Sequence, residues 1–230
     1  MSSRRKAVAE VQQPPKRGRG RPPRISREEV IATSLGILAH TEVEEFKIKT
    51  LAAELGTTSM AIYNYFDSRD DLLEAISDEI CGLFETPAPA ETWQDTLRGW
   101  LWALRAHAAK YPVMPYVVGV NGHASAGWLK VTLPVTLILH DELGLRGKAL
   151  AQAAYIFVTG AITLINVVAR SGEYMQAKVY LPLEEIGLSA EQREVIKTLP
   201  IDALDEDQII ASVFEQLIAG VGRQAGLPVE

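Results

Sequence analysis

A chain of 230 residues, 47% hydrophobic, is long enough for one well-buried core or two modest ones. Its single cysteine, Cys81, excludes an internal disulfide and fits a reducing cytoplasm, and the basic N-terminus lacks the apolar run of a secretory signal. The net charge of −6 hides a division: residues 1–24 hold eight Lys or Arg against Glu10 alone, leaving 15 basic and 28 acidic residues for the rest, so DNA is repelled by most of the surface but not by this arm.

Within the arm, KRGRGRPPR (16–24) has five cations separated only by Gly and Pro, so it cannot fold alone. Arg19-Gly20-Arg21-Pro22 resembles the core of an AT-hook, which lays extended arginines in a narrow A·T minor groove. Arg19, Arg21 and Arg24 are therefore candidate minor-groove residues, and a tail that merely adds charge is the alternative.

Ser26 and Glu29 have capping-box spacing and start a helix that runs to about His40. Thr41–Glu45, with three acids, breaks the rhythm and reads as a solvated loop. Ile48, Leu51, Ala52 and Leu55 give a short second helix ended by Gly56. Thr57-Thr58-Ser59 caps a third, with Ile62 and Phe66 facing inward. Ser68-Arg69-Asp70-Asp71 reads as another capping box, opening a fourth helix at 70–84. Two short helices after a longer one fit a helix-turn-helix, and equally any small helical bundle.

Thr86-Pro-Ala-Pro-Ala90 breaks the chain, after which helices are expected at 92–110, 128–142 (with Pro134 inside), 148–171 and 205–221, and only short pieces in 172–204. No strand-like alternation appears, so the fold class is all-α. Ala149–Ala169 carries no charge and is long enough to span a bilayer. Its polar seam of Gln152, Tyr155, Thr159, Thr163 and Asn166 points instead to a helix inside a bundle.

The body gathers Trp100, Trp102, Tyr116, Trp128 and Phe157, with Leu104 and His107 close by in sequence. Against the polar groups of Thr159, Thr163 and Asn166 these make a candidate small-molecule pocket, or simply a core. The four histidines (40, 107, 123, 140) lack metal-ligand spacing, so no metal or cofactor is expected. There is no G-x-S-x-G, P-loop or paired-carboxylate motif, and no enzyme is expected.

Residues 46–80, FKIKTLAAELGTTSMAIYNYFDSRDDLLEAISDEI, carry Leu51-Ala52-x-x-Leu55-Gly56, a hydroxyl-rich turn, Tyr63-x-Tyr65-Phe66, and Arg69 before Leu72-Leu73. This pattern resembles the DNA-binding segment of the TetR family of one-component transcriptional repressors. The resemblance implies a helix-turn-helix domain at 25–80 after the arm at 1–24, and a larger helical ligand-binding and dimerisation domain at 81–230. It also implies a homodimer joined by the last two long helices, a palindromic operator in double-stranded DNA, and release by a small, largely apolar inducer. Thr57, Thr58, Ser59, Met60, Ala61, Tyr63, Asn64 and Tyr65 would form or flank the recognition helix.

The chemistry of these residues suits graded roles. Thr58 and Ser59 can bind phosphate at a helix start, Asn64 can pair with adenine, and Met60 and Ala61 can touch thymine methyls. Tyr63, Lys47, Lys49 and Arg69 suit phosphates. Two departures stand out: Thr41–Glu45 replaces the family's usual glycine after the first helix, and Tyr65 occupies a position commonly held by histidine. The drug-binding histidine of tetracycline repressors has no counterpart in Phe84-Glu85-Thr86. The competing classes are a sequence-tolerant DNA-architectural protein and a helical enzyme or carrier with an incidental helix-turn-helix.

Overall fold

The computed structural model describes residues 25–114, 125–176, 187–198 and 205–227, and within them all regular structure is helical. The helices are α1 (Arg27–Leu38), α2 (Ile48–Glu54), α3 (Ser59–Tyr63), α4 (Arg69–Gly82), α5 (Trp93–Lys110), α6 (Ala126–Asp141), α7 (Gly147–Gln176), α8 (Ala190–Lys197) and α9 (Glu206–Gln224).

Local chemistry sets the helix ends in the head. Ser26 Oγ accepts the Glu29 amide at 3.1 Å, and the Glu29 carboxylate accepts the Ser26 amide at 2.7 Å, so two amides at the start of α1 are satisfied at once. After α2, Gly56 takes φ +59°, a left-handed conformation that suits glycine, and the Thr57 amide closes the helix on the Ala52 carbonyl. The second expected box is only half formed. Ser68 Oγ accepts the Asp71 amide at 3.0 Å, but the short Asp71 side chain turns to the Asp67 amide at 2.8 Å. Thr41–Glu45 is less open than expected: Val43–Glu45 forms a 3-10 turn, and Val43 and the buried Phe46 pack on the head core.

The head core is built from Val30, Leu38, Leu51, Ile62, Phe66 and Leu72. Helix α4 leaves this core and continues past residue 80, the expected domain boundary, to pack along α6 in the body. Gly127 near the start of α6 permits that contact, because a Cβ there would lie 2.8 Å from Cys81 Cβ and 2.9 Å from Asp78 Oδ1. The Gly127 amide instead donates to Asp78 Oδ1 at 2.9 Å. The head and the body are thus joined by a continuous helix seated on a specific neighbour.

In the body, α5, α6, α7 and α9 bury Trp100, Leu104, Leu139, Phe157 and Phe214. Pro134 lies inside α6. Helices α7 and α9 cross closely at Gly160, where a Cβ would meet Leu217 Cδ2 at 3.0 Å. By length and composition Gly147–Val168 of α7 is able to cross a bilayer, and a third of its most apolar window is buried, 33%. Its other side leaves Tyr155, Ile156 and Val167 exposed.

Candidate nucleic-acid interface and effector cavity

Helix α3 is five residues long, and its sequence divides it into two faces. Ile62, with Phe66 just beyond, points into the head core, while Met60 (71% exposed) and Tyr63 (44% exposed) point outward with the exposed Asn64 at the C-cap. Thr58 Oγ1 accepts the Ala61 amide at 3.3 Å, so this hydroxyl caps the helix and faces outward at once. Thr57, Ser59 and Ala61 are half-buried. Lys47 and Lys49 are exposed at the start of α2.

Two residues expected at the DNA surface are tied inward. Tyr65 is half-buried, and its hydroxyl donates to the Ile25 carbonyl at 2.6 Å, linking the residue before α1 to the segment that follows α3. Arg69 Nε donates to the Phe46 carbonyl at 3.0 Å, and its Nη2 donates to the Val43 carbonyl. The Arg69 side chain is 35% exposed, so part of it still reaches solvent while its donors strap the 43–46 turn to α4. Arg27, not anticipated from the sequence, lies 5.1 Å over the Phe66 ring at the start of α1. Arg19, Arg21 and Arg24 lie outside the described residues, as does Tyr116.

A cavity of about 550 Å³ opens between head and body. The head supplies the end of α1 and the 39–45 connection, and the body supplies parts of α5, α7 and α9. Leu38, Ala108, Val113, Ile165 and Ile210 give it buried apolar walls. Glu42, Glu45, Glu206 and Arg105 give it charged edges. Arg105 lies 5.3 Å over the Trp102 ring, pairs with Asp207 and stands 3.8 Å from Glu206.

Residues 30–76, spanning α1 to the middle of α4, match the model of bacterial regulatory proteins of the tetR family. The head is a TetR-family DNA-binding domain. This TetR-type segment extends into similarity with the HTH-type transcriptional repressor Rv1353c of Mycobacterium tuberculosis, 31% identical over 104 residues, 44% of this chain and 40% of that protein. It is also similar to the HTH-type transcriptional repressor DrrR1 of Streptomyces coeruleorubidus, 30% identical over 107 residues, 45% of this chain and 38% of that one. The chain therefore spans about two-fifths of the length of these curated relatives. Among solved structures, apo ActR of Streptomyces coelicolor has the same fold, with TM-score 0.71 and 22% identity over 88% of this chain and 97% of that one. ActR solved in complex with actinorhodin gives TM-score 0.71 at 20% identity, covering 88% of this chain and 99% of that one.

Behind the TetR-type head, the aromatic residues expected to form a pocket come together as packing. Trp100 is buried, with its Nε1 donating to the Val131 carbonyl at 3.0 Å and its ring against Phe157 at 6.2 Å. Leu104, Phe157 and Trp128 are buried with it. Trp102 packs edge-on against Phe214 at 5.3 Å. His107 Nε2 lies 2.9 Å from the Ile80 carbonyl in the last turn of α4. Burial holds this imidazole below its ordinary value, with the Ile80 carbonyl opposing and Lys110 reinforcing the shift. Thr159 is half-buried and Thr163 exposed. Of the expected pocket residues, Asn166 lines the 550 Å³ cavity.

The other residues that line it were not legible, because none of them stands out by type. Glu42 and Glu45 read as loop acids, and Arg105 and Glu206 lie about a hundred residues apart.

Proposed function

We propose that the chain is a ligand-responsive transcriptional repressor that binds a palindromic operator as a homodimer. The observation that carries this reading is the outward face of α3. Met60, Tyr63 and Asn64 are presented together on a TetR-family head, flanked by Lys47 and Lys49. Side chains of this kind, on a helix narrow enough for the major groove, suit base edges at the centre and phosphates at the sides.

The homodimer is supported by the exposed apolar side of α7. Tyr155, Ile156 and Val167 stand 69%, 53% and 54% exposed, a face that a second copy of the α7–α9 pair would cover. Two-fold pairing then presents two recognition helices to two half-sites. Release by a small, largely apolar molecule is supported by the cavity between head and body and by the ligand held by the structural neighbour ActR. A ligand that favours one arrangement of α4 over another shifts the spacing of the recognition helices. The arm at 1–24 serves in this reading as a minor-groove limb, and the protein works in the cytoplasm without a metal or cofactor.

The test is a gel shift against the DNA upstream of the protein's own gene, at two salt concentrations. Saturable, sequence-specific retention is expected, with a flatter salt dependence when residues 1–24 are deleted. Salt-sensitive binding to every duplex alike would favour an architectural protein, and no retention would favour an enzyme or carrier.

A further inference from the structure

We propose that Tyr65 is a positioning residue for the basic segment 1–24, placing it where Arg21 and Arg19 enter the minor groove beside the major groove that receives α3. The proposal rests on the repressor reading, through its placement of α3 on DNA.

Ile25 is the point from which residues 1–24 depart, and it is fixed on the head. Its side chain is 7% exposed within the head core, and its carbonyl accepts from the Tyr65 hydroxyl at 2.6 Å. Tyr65 follows Asn64, the C-cap of α3, and the amides of Tyr65 and Phe66 donate to the Ile62 carbonyl at 2.9 and 3.2 Å. Arg27 makes a second link between the same segments, with its guanidinium 5.1 Å over the Phe66 ring. Neither link is needed to start a helix, because Ser26 with Glu29 caps α1 and Thr58 caps α3. What the Tyr65 bond settles is the distance between the exit of residue 24 and the outward face of α3.

That distance suits two adjacent grooves. Arg24, Arg21 and Arg19 precede Ile25 by one, four and six residues, so an extended chain carries them at most about 3.5, 14 and 21 Å from it. Half a turn of DNA, the step from a major groove to the next minor groove, is about 17 Å. Arg21 and Arg19 bracket that step, while Arg24 stays near the phosphates between. Pro22 and Pro23 separate Arg21 from Arg24, and their ring-fixed φ lowers the entropy that ordering on DNA costs. Exposed Glu28 and Glu29 follow Arg27, so the positive charge at this corner comes from Arg27 and the segment before it. A narrow A·T minor groove carries the negative potential that attracts such arginines. An exit left loose would spread them over a larger volume and lower their effective concentration at the groove.

Duplexes selected from a random-sequence library by the purified full-length protein supply the probe, and fluorescence anisotropy gives its affinity. Deleting residues 1–24 is expected to weaken binding at least about tenfold. Tyr65→Phe should weaken it about threefold in the full-length chain and leave the deleted chain unchanged, whereas a merely structural tyrosine would weaken both alike. A flexible Gly/Ser insert of about six residues between Arg24 and Ile25 keeps every charge and the Tyr65 bond, and should weaken binding about fivefold. Unchanged far-UV circular dichroism establishes that each variant folds. G·C pairs placed half a turn from the base pairs that the selected sequences share should weaken the full-length protein alone. Inosine·cytosine pairs there, which lack the guanine amino group in the minor groove, should restore its affinity. A deletion without effect, equal losses from Tyr65→Phe in both backgrounds, full affinity after the insertion, or indifference to G·C pairs overturns the proposal and leaves the repressor reading standing. Selection of no sequence overturns the repressor reading, and this placement with it.

Discussion

Tyr65 illustrates how much a single hydroxyl changes a residue's part. By type and position it is expected beside Tyr63 at the proposed DNA surface, yet its hydroxyl donates at 2.6 Å to Ile25, forty residues away. The bond fixes the start of α1, and with it the point where the arm leaves the head. Tyr65→Phe keeps the ring on the core and removes only this donor, leaving the half-buried Ile25 carbonyl short of a partner. It should lower stability by about 0.5–1.5 kcal/mol, read from urea unfolding. Tyr63→Phe, at a 44% exposed position with its side chain turned outward, should leave unfolding unchanged. Equal stability of the two variants would mean that the Ile25 bond contributes nothing. Arg69 makes the same point more strongly, since its Nε and Nη2 are both spent on backbone carbonyls of the 43–46 turn. Its charge can still attract phosphate, but its geometry serves the turn.

Among elements, α5 and α9 are joined by a pair whose behaviour with pH follows from its geometry. Arg98 Nε and Nη2 donate to the two carboxylate oxygens of Glu215 at 2.6 and 2.8 Å, a bidentate arrangement. The bond from Arg98 holds the Glu215 carboxyl below its ordinary 4.5, partly opposed by burial. A carboxyl with a lowered pKa in the folded state contributes stability above its ordinary value and loses it as pH falls through the lowered one. With both side chains partly exposed, 35% and 53%, the pair is worth about 0.5–1 kcal/mol. Glu215→Gln should therefore lower Tm near pH 7 and show a smaller further loss than wild type between about pH 5 and pH 3. Melting curves across that range check it, and parallel acid limbs for the two proteins would remove Glu215 as a contributor. Helix α4 is the other decisive element. Its first half belongs to the head core and its second half packs closely on α6 at Gly127, so one helix is shared by both units.

For the molecule as a whole, the unfinished surface is the outer side of α7. With 33% of its most apolar window buried, this helix leaves an apolar face uncovered among the described residues, and the proposed homodimer would cover it. Ile156→Glu places a charge in the centre of that face without touching the core, since Ile156 is 53% exposed. Sedimentation equilibrium should show a dimer for wild type and a monomer for the variant at micromolar concentration, and on the proposed repressor reading affinity for an operator of two half-sites should fall in step. A variant that remains dimeric would move the interface away from this face.

The sequence by itself determined whatever is settled within one helical turn. Ser26 with Glu29, Gly56, Thr58 and Ser68 set helix ends because each side-chain cap bonds an amide three residues away, and Gly56 takes a left-handed conformation that glycine adopts readily and other residues rarely do. The division of α3 into an inward Ile62 and an outward Met60 and Tyr63 was equally legible, since helical periodicity alone assigns the faces. Asp71 marks the edge of that legibility: the cap spacing is right, but a side chain one methylene shorter than Glu turns to Asp67. Tertiary structure decided what depends on segments far apart. It committed Tyr65 to Ile25 and Arg69 to Val43 and Phe46, and it packed Trp100, Leu104 and Phe157 into a core. A core and an apolar pocket are made of the same residue types, so composition cannot separate them. The space itself arose where α1, α5, α7 and α9 fail to close around Leu38 and Ile165, and only the packing of whole helices fixes where such a gap falls.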